Sequence, residues 1–111
     1  MRLNNGITKL LRFLDYPTIG RRLLKHGFDP RLNKALLEVQ LYYFGRLKSK
    51  KNVDTETFFL ALQKLCSNRE FANSIESTTK SIDRFTLRFE KFGKLMEEVF
   101  GQTILGPSIV E

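Results

Sequence analysis

The chain has 111 residues, of which 41% are hydrophobic and 28% charged, and its formal charge is +7. That length suits one ordinary domain, and this composition, with ten phenylalanines, is typical of a globular chain and argues against a disordered one. No stretch reaches the roughly 18 apolar residues of a membrane span, and the first residues lack the apolar region of a signal peptide, so we expect a soluble, cytoplasmic protein.

The first part of the chain predicts two helices. Apolar residues at three- and four-residue steps indicate a first helix over residues 3–14. It should end near Asp15-Tyr16, because the residue before a proline is driven out of helical geometry. Pro17 suits the first turn of a second helix, and Gly27 should close that helix in the left-handed conformation that glycine tolerates.

Two further helices flank a basic connector, residues 46–51, which places four cations in six positions. The third helix should begin at Asp29-Pro30, a side-chain cap followed by proline, and run to about residue 47. Asp54 should cap the fourth helix, with Val53 packed on Phe58 at its entry.

The last part of the chain predicts a short helix, a turn and the longest helix. Asn68 can cap the short helix, residues 77–79 form the turn, and the last helix should run from about residue 80 to Gly101. Residues 102–111 form an apolar tail that is either loose or docked on a neighbour. No segment keeps the strict alternation of apolar and polar residues that would indicate a strand. We therefore predict an all-α fold: a compact bundle of five or six helices over 1–101, followed by a short apolar C-terminal tail.

The excess of positive over negative charge lies in the first half of the chain. Residues 1–51 hold twelve Lys and Arg against three acids, a net charge of +9, whereas residues 52–111 have a net charge of −2. A soluble surface does not require this asymmetry, but a face that binds a polyanion does.

One set of cations lies in the second predicted helix and the basic connector. Each contact with phosphate would release a counterion, so the set predicts salt-sensitive, largely sequence-independent binding to a nucleic-acid backbone. The alternative is a solvated surface, because helix C-termini and exposed loops favour cations. The residues are Arg21, Arg22, Lys25, Arg46, Lys48, Lys50 and Lys51.

A second set forms a basic stripe on the last helix, at steps of four, four and three residues. Asp83 and Glu90 can pair with some of its members, so backbone binding and an ion-paired surface are both open. Tyr42 and Tyr43 could stack on bases, although at least one of them should lie in the core. The stripe consists of Lys80, Arg84, Arg88 and Lys91.

Residues that carry catalysis or hold metals are scarce. His26 is the only histidine and Cys66 the only cysteine, which excludes multi-histidine metal sites and an intramolecular disulfide. We expect His26 to interact with a helix C-terminus and Cys66 to fill the core. The sequence also lacks glycine-rich phosphate loops and nucleophile motifs, so we expect no catalytic activity, no cofactor and no metal.

A small, basic, all-helical chain without catalytic groups resembles the small helical subunits of CRISPR interference complexes of the Cascade type. The resemblance is one of size, helix content and charge along the whole chain. It implies a non-enzymatic subunit of a larger ribonucleoprotein that contacts RNA or DNA backbone, packs head to tail with further copies, and touches a neighbour through its apolar tail. The residues implied to face the backbone are Arg21, Arg22, Arg46, Lys48, Lys50 and Lys51.

The sequence is also compatible with two other functions. A protein–protein adaptor would dock through the phenylalanine-rich last helix and residues 104–110. A sequence-specific DNA-binding regulator would use helices on either side of Gly27 as a helix-turn-helix, with a recognition helix from Arg31. That helix offers few of the side chains that read base edges, which favours backbone binding.

Overall fold

The computed structural model describes residues 2–76 and 82–107, which form five α-helices and one short β-hairpin. The prediction of a helical bundle is confirmed. None of the helices in these two ranges is long and apolar enough to cross a bilayer. In chain order the elements are α1 (Arg2–Leu10), β1 (Leu23–Leu24), β2 (Gly27–Phe28), α2 (Lys34–Arg46), α3 (Thr55–Ser67), α4 (Arg69–Glu76) and α5 (Ile82–Phe100).

Phenylalanine rings fill the core where α1, α2, α3 and α5 meet. Phe44 of α2, Phe58 of α3 and Phe100 of α5 are buried, with ring centroids between 5.6 and 6.3 Å apart. Phe13, just after α1, contacts all three rings. Edge-to-face packing of this kind stabilises a core beyond the area that it buries. The cluster therefore holds the ends of these four helices together.

The second predicted helix is wrong, and so is the expectation that no strand occurs. A 3₁₀ turn over Tyr16–Thr18 is followed by β1 and β2, in which Leu23 pairs with Phe28. Gly20 prevents a helix because its φ is +74° and its N–H donates to the side chain of Gln40, 2.9 Å away, instead of to a helical carbonyl. Gly27 has the predicted positive φ, +118°, but it is the first residue of β2 and caps no helix.

The start of α2 also differs from the prediction. Asn33 caps this helix, because its side chain accepts a hydrogen bond from the N–H of Leu36 at 2.9 Å. Asp29 instead accepts from the N–H of Arg31 and orders the turn before the helix. The first helix is likewise shorter than predicted and ends at Leu10.

The later boundaries are confirmed. Asp54 caps α3 through the N–H of Thr57 at 2.8 Å, and Asn68 caps α4 in the same way. Gly101 ends α5 with a φ of +69°. The predicted turn at 77–79 and the expected helix start at residue 80 lie outside the described residues, as do residues 108–111 of the tail.

The C-terminal ends of α1, α2 and α5 lie at one end of the molecule, beside the basic connector. The ammonium group of Lys9, in the last turn of α1, donates to the carbonyl of Leu47, which follows α2. The hydroxyl of Ser49 donates to the carbonyl of Phe100, the last residue of α5, at 2.7 Å. This arrangement sets the connector on the C-terminal ends of α1, α2 and α5.

Candidate nucleic-acid interface

A single side chain from the C-terminal segment fixes the backbone of the basic connector. The Oε1 atom of Gln102 accepts hydrogen bonds from the N–H groups of Lys48 and Ser49, at 2.8 and 2.7 Å. Its Nε2 atom donates to the carbonyl of Arg46 at 3.4 Å. The left-handed turn at Gly101 brings Gln102 back onto the connector. The connector is therefore held in place although it has no regular secondary structure.

The three lysines of the connector project from this fixed backbone. The side chains of Lys48, Lys50 and Lys51 are exposed, and none of them lies within ion-pair distance of a carboxylate in residues 2–76 and 82–107. Part of the reason for their presence is local, because helix C-termini carry partial negative charge and favour nearby cations. Their charged ends nevertheless remain accessible to a phosphate chain.

Arg46, the fourth cation of the connector, lies flat against its own chain. Its guanidinium carbon is 3.7 Å from the centroid of the Tyr42 ring, and its Nη1 atom donates to the Tyr42 carbonyl at 3.0 Å. The Tyr42 hydroxyl in turn donates to the carbonyl of Leu105 at 2.8 Å. These contacts tie residues 102–107 to the end of α2, so this part of the tail packs on its own bundle.

The two tyrosines suggested for base stacking both make contacts within the protein's own fold. Tyr43 is 1% exposed, and its hydroxyl donates to the carbonyl of Phe89 at 2.7 Å. Burial, with a smaller contribution from Tyr42, raises the pKa of Tyr43 to about 12. The expectation that at least one tyrosine is core is confirmed, and stacking by Tyr43 is wrong. One face of Tyr42 is covered by Arg46.

Arg22, on the hairpin side of the molecule, forms an ion pair with Asp29. Its Nε and Nη2 atoms lie 3.2 and 2.8 Å from Oδ2 of Asp29, while Oδ1 accepts from the N–H of Arg31. The hydrogen bond from Arg31, followed by the interaction with Arg22, lowers the pKa of Asp29. Arg22 therefore stabilises the hairpin and is neutralised where it lies.

The other predicted hairpin residues are less constrained. The Nη1 atom of Arg21 donates to the carbonyl of Pro30, and its Nε atom is buried without a partner. Lys25 and His26 are exposed in the two-residue turn between β1 and β2. The expected contact of His26 with a helix C-terminus is wrong, because a hairpin replaces that helix.

The two groups of cations that were expected to act together lie at opposite ends of α2. The carbonyl of Gly20, just before Arg21, accepts from the N–H of Asn33 at the start of α2. The basic connector follows the other end of this helix, whose 13 residues span about 20 Å. The structure therefore separates Arg21, Arg22 and Lys25 from the connector lysines.

The basic stripe on α5 is largely used to hold helices together. Arg88 is 7% exposed, and its Nη1 atom lies 3.9 Å from Oε1 of Glu38 on α2. Burial lowers the pKa of Arg88, and Glu38 opposes that shift. Lys91 pairs with Glu70 of α4 at 3.4 Å, whereas Arg84 is exposed and Lys80 lies outside the described residues. For Arg88 and Lys91 the ion-paired alternative is thus the one observed, with acids from other helices.

The groups with potential chemistry do not assemble into a site. Cys66 is buried in the core, as predicted, and burial raises the pKa of its thiol. Across the described part of the chain, no three His, Cys, Asp or Glu side chains form a group that could hold a metal ion.

Two residues that the sequence did not point to, Gln102 and Lys9, shape the interface by binding backbone carbonyls and amides of the connector. No sequence signal marks Gln102, because its role depends on the turn that follows α5. Comparisons with known proteins add nothing to this description: no protein-family model matches the chain, and neither a curated protein nor a solved structure shows significant similarity to it.

Proposed function

We propose that the protein is a non-enzymatic, largely sequence-independent nucleic-acid-binding subunit that grips a phosphate backbone with its basic connector. In keeping with the resemblance described above, it would act in the cytoplasm within a larger ribonucleoprotein of the CRISPR effector small-subunit type, together with other protein subunits. The observation that carries the proposal is the row of three exposed lysines without acid partners in the described residues, on a backbone that Gln102 holds in place.

Two physical properties of the connector support the proposal: its positive charge and its fixed backbone. Each lysine that meets a phosphate releases condensed counterions, which favours binding at low salt without regard to base sequence. A connector that is already fixed loses less conformational entropy when it binds than a mobile loop would. Lys25 and Arg21 are outlying contacts in this proposal, while Arg22, Arg88 and Lys91 serve the fold.

Fluorescence anisotropy with labelled single- and double-stranded RNA and DNA, at about 50 and 200 mM salt, tests the proposal. The variant Lys48→Glu, Lys50→Glu, Lys51→Glu should lose at least about 100-fold in affinity, and its log–log salt slope should fall by about 2 to 3. The matched control reverses three exposed lysines elsewhere, Lys34, Lys64 and Lys94, and has the same net charge.

Comparing the two triple variants distinguishes a specific binding site from a general effect of net charge. If both triple variants lose affinity equally, only net charge matters and the connector is not the site. If the wild-type protein binds none of the four nucleic acids, the proposed function is wrong.

The two alternatives draw less support from the structure. The phenylalanines of α5 at positions 89, 92 and 100 are buried in the chain's own core, so they do not form a free docking face for an adaptor. A helix-turn-helix around Gly27 lacks its first helix, because residues 19–33 hold turns and the hairpin.

A further inference from the structure

An open groove of about 360 Å³ lies between α5 and the segment that follows it, residues 103–107. The segment runs back along the helix, because the hydroxyl of Thr103 donates to Oε2 of Glu97 at 3.1 Å, while a Cβ atom at Gly106 would lie 3.8 Å from that of Phe89. The eight residues from Phe89 to Glu97 rise about 12 Å along α5, and three residues of chain reach at most about 11 Å. The segment is therefore nearly fully extended.

The backbone of this segment has hydrogen-bonding groups to offer. Within residues 2–76 and 82–107, the N–H groups of residues 103–106 and the carbonyls of Thr103 and Ile104 have no hydrogen-bond partner. The segment is nevertheless held, because the carbonyl of Leu105 accepts from the hydroxyl of Tyr42 and the side chain of Ile104 packs on the core. Extended backbone with available donors and acceptors is what an added strand pairs with.

Apolar groups line the groove on both sides. On α5, Phe85 is half-buried, Phe89 is a core ring at the floor, and Gly93 leaves room because it has no side chain. On the opposite wall the side chain of Leu105 is 83% exposed, although its backbone is held in place. Covering apolar surface is favourable, so the groove suits an apolar side chain of a ligand.

Carboxylates follow the outer rim of the groove. At about 100° per residue, Glu90 and Glu97 lie on the solvent side of the stripe that Phe85 and Gly93 form on α5. Both are exposed, neither forms an ion pair in the described part of the chain, and Lys94 is the one cation among the described residues that line the groove. On a protein with a net charge of +7, this local excess of negative charge favours a basic ligand and disfavours a nucleic acid.

We propose that this groove binds an extended, basic segment of a partner protein, whose backbone pairs with residues 103–106. An apolar side chain of the partner packs against Phe85 and Gly93, and a Lys or Arg side chain meets Glu90 or Glu97. The stretch of α5 from Phe85 to Glu97 is about 18 Å long, which matches five or six extended residues. The inference goes beyond nucleic-acid binding by the connector, because it assigns a different surface to a different kind of partner.

Fluorescence anisotropy of the full chain with three labelled hexapeptides tests the proposal. The first alternates lysine and valine, so that the valines face the groove and the flexible lysines reach its rim. The second has serine in place of lysine, and the third is the lysine peptide with every residue N-methylated, which removes its backbone donors. The lysine peptide should bind about 3- to 10-fold more tightly than the serine peptide and at least about 10-fold more tightly than the N-methylated one.

Variants of the rim locate the site. The double variant Glu90→Gln, Glu97→Gln should bind the lysine peptide only as tightly as the serine peptide, because the attraction between opposite charges is lost. The matched control, Glu56→Gln, Glu76→Gln, removes two exposed carboxylates elsewhere and should bind both peptides like the wild type.

Amide chemical shifts of the ¹⁵N-labelled protein give an independent readout. The lysine peptide should shift the signals of residues 103–106 and Gly93, and it should leave those of Lys48 and Ser49 in the connector unchanged.

Each of three results would overturn the proposal: equal affinity for the lysine and serine peptides, equal affinity for the N-methylated peptide, or shifts confined to other parts of the protein. A sedimentation coefficient that rises with concentration in the wild type, but not in Glu90→Gln, Glu97→Gln, would assign the groove to a second copy of the chain instead. None of these results depends on whether the connector binds nucleic acid, which the lysine variants test separately.

Discussion

At the scale of single residues, Asp29 illustrates how one side chain can serve a different structure from the one that its neighbours suggest. Followed by proline, it has the pattern of a helix cap, yet its carboxylate closes the hairpin against Arg22 and orders the turn at Arg31. Both contacts favour the ionised form, which is why the pKa of Asp29 is lowered. The stability that it contributes therefore depends on pH.

Asp29→Asn should be less stable than the wild type at neutral pH, and the difference should narrow as the pH falls. A carboxylate with a lowered pKa in the folded state contributes stability above its unfolded pKa of about 4, and this contribution is lost as pH falls through the folded pKa. Thermal unfolding of both proteins from about pH 7 to about pH 3 checks this. A constant difference between Asp29→Asn and the wild type at every pH would contradict the charge-based account.

Gly93 and Tyr43 form a second residue-scale contact that determines stability. A Cβ atom at position 93 would lie 2.9 Å from the hydroxyl of Tyr43, which is held by its hydrogen bond to Phe89. Alanine in a helix is otherwise favoured over glycine by about 1 kcal/mol, so the sign of the substitution depends on this one oxygen atom.

Gly93→Ala should therefore destabilise the protein by about 1 to 2 kcal/mol, because overpacking against a fixed hydroxyl outweighs the helix propensity. In a Tyr43→Phe background the same substitution should be neutral or stabilising. Urea unfolding of the four proteins in this double-mutant cycle gives the coupling energy. Equal effects of Gly93→Ala in both backgrounds would show that the hydroxyl is not responsible.

At the scale of elements, the basic connector depends on the segment after α5 for its shape. Gln102 accepts two hydrogen bonds from the connector backbone and donates one to it, and these replace the regular ladder that a helix or strand would supply. The cations and the residue that positions them are more than fifty positions apart in sequence, so a change in the C-terminal segment acts on the connector without altering its charge.

Gln102→Ala should lower the free energy of unfolding by about 1 to 2 kcal/mol and weaken nucleic-acid binding about 2- to 10-fold, because the connector must then be ordered on binding. Hydrogen exchange should become faster at the amides of Lys48 and Ser49. The neighbouring change Thr103→Ala, which removes only a hydroxyl contact with Glu97, is the control. Faster exchange with unchanged affinity would separate order in the connector from binding.

Local signals account for the parts of the fold that the sequence predicted. Asp54, Asn68 and Gly101 act on the backbone within a few residues, and each of them behaves as its pattern indicates. The hairpin was missed because strands of two residues are too short to show alternation. The positive φ of Gly20, which rules out a second helix, is fixed by long-range contact with Gln40 on α2.

The sequence predicted which residues belong to the candidate site, but not how those residues are arranged in space. The exposed connector lysines follow from a charged run between two helices. The partners of Arg88 and Lys91 lie on α2 and α4, whereas the sequence offered Asp83 and Glu90 on the same helix. Which cations are neutralised is therefore a property of tertiary structure.

At the scale of the whole molecule, the C-terminal ends of α1, α2 and α5, which carry partial negative charge, lie beside the basic connector. Each end carries about half an elementary charge, so this end of the molecule presents roughly one and a half negative charges before any ligand arrives. Part of the positive charge of the lysines therefore offsets the partial negative charge of these helix ends. Only the remaining positive charge attracts a polyanion. Neutralising each of these lysines in turn should therefore weaken the attraction of a polyanion by more than that lysine's share of the connector's formal charge.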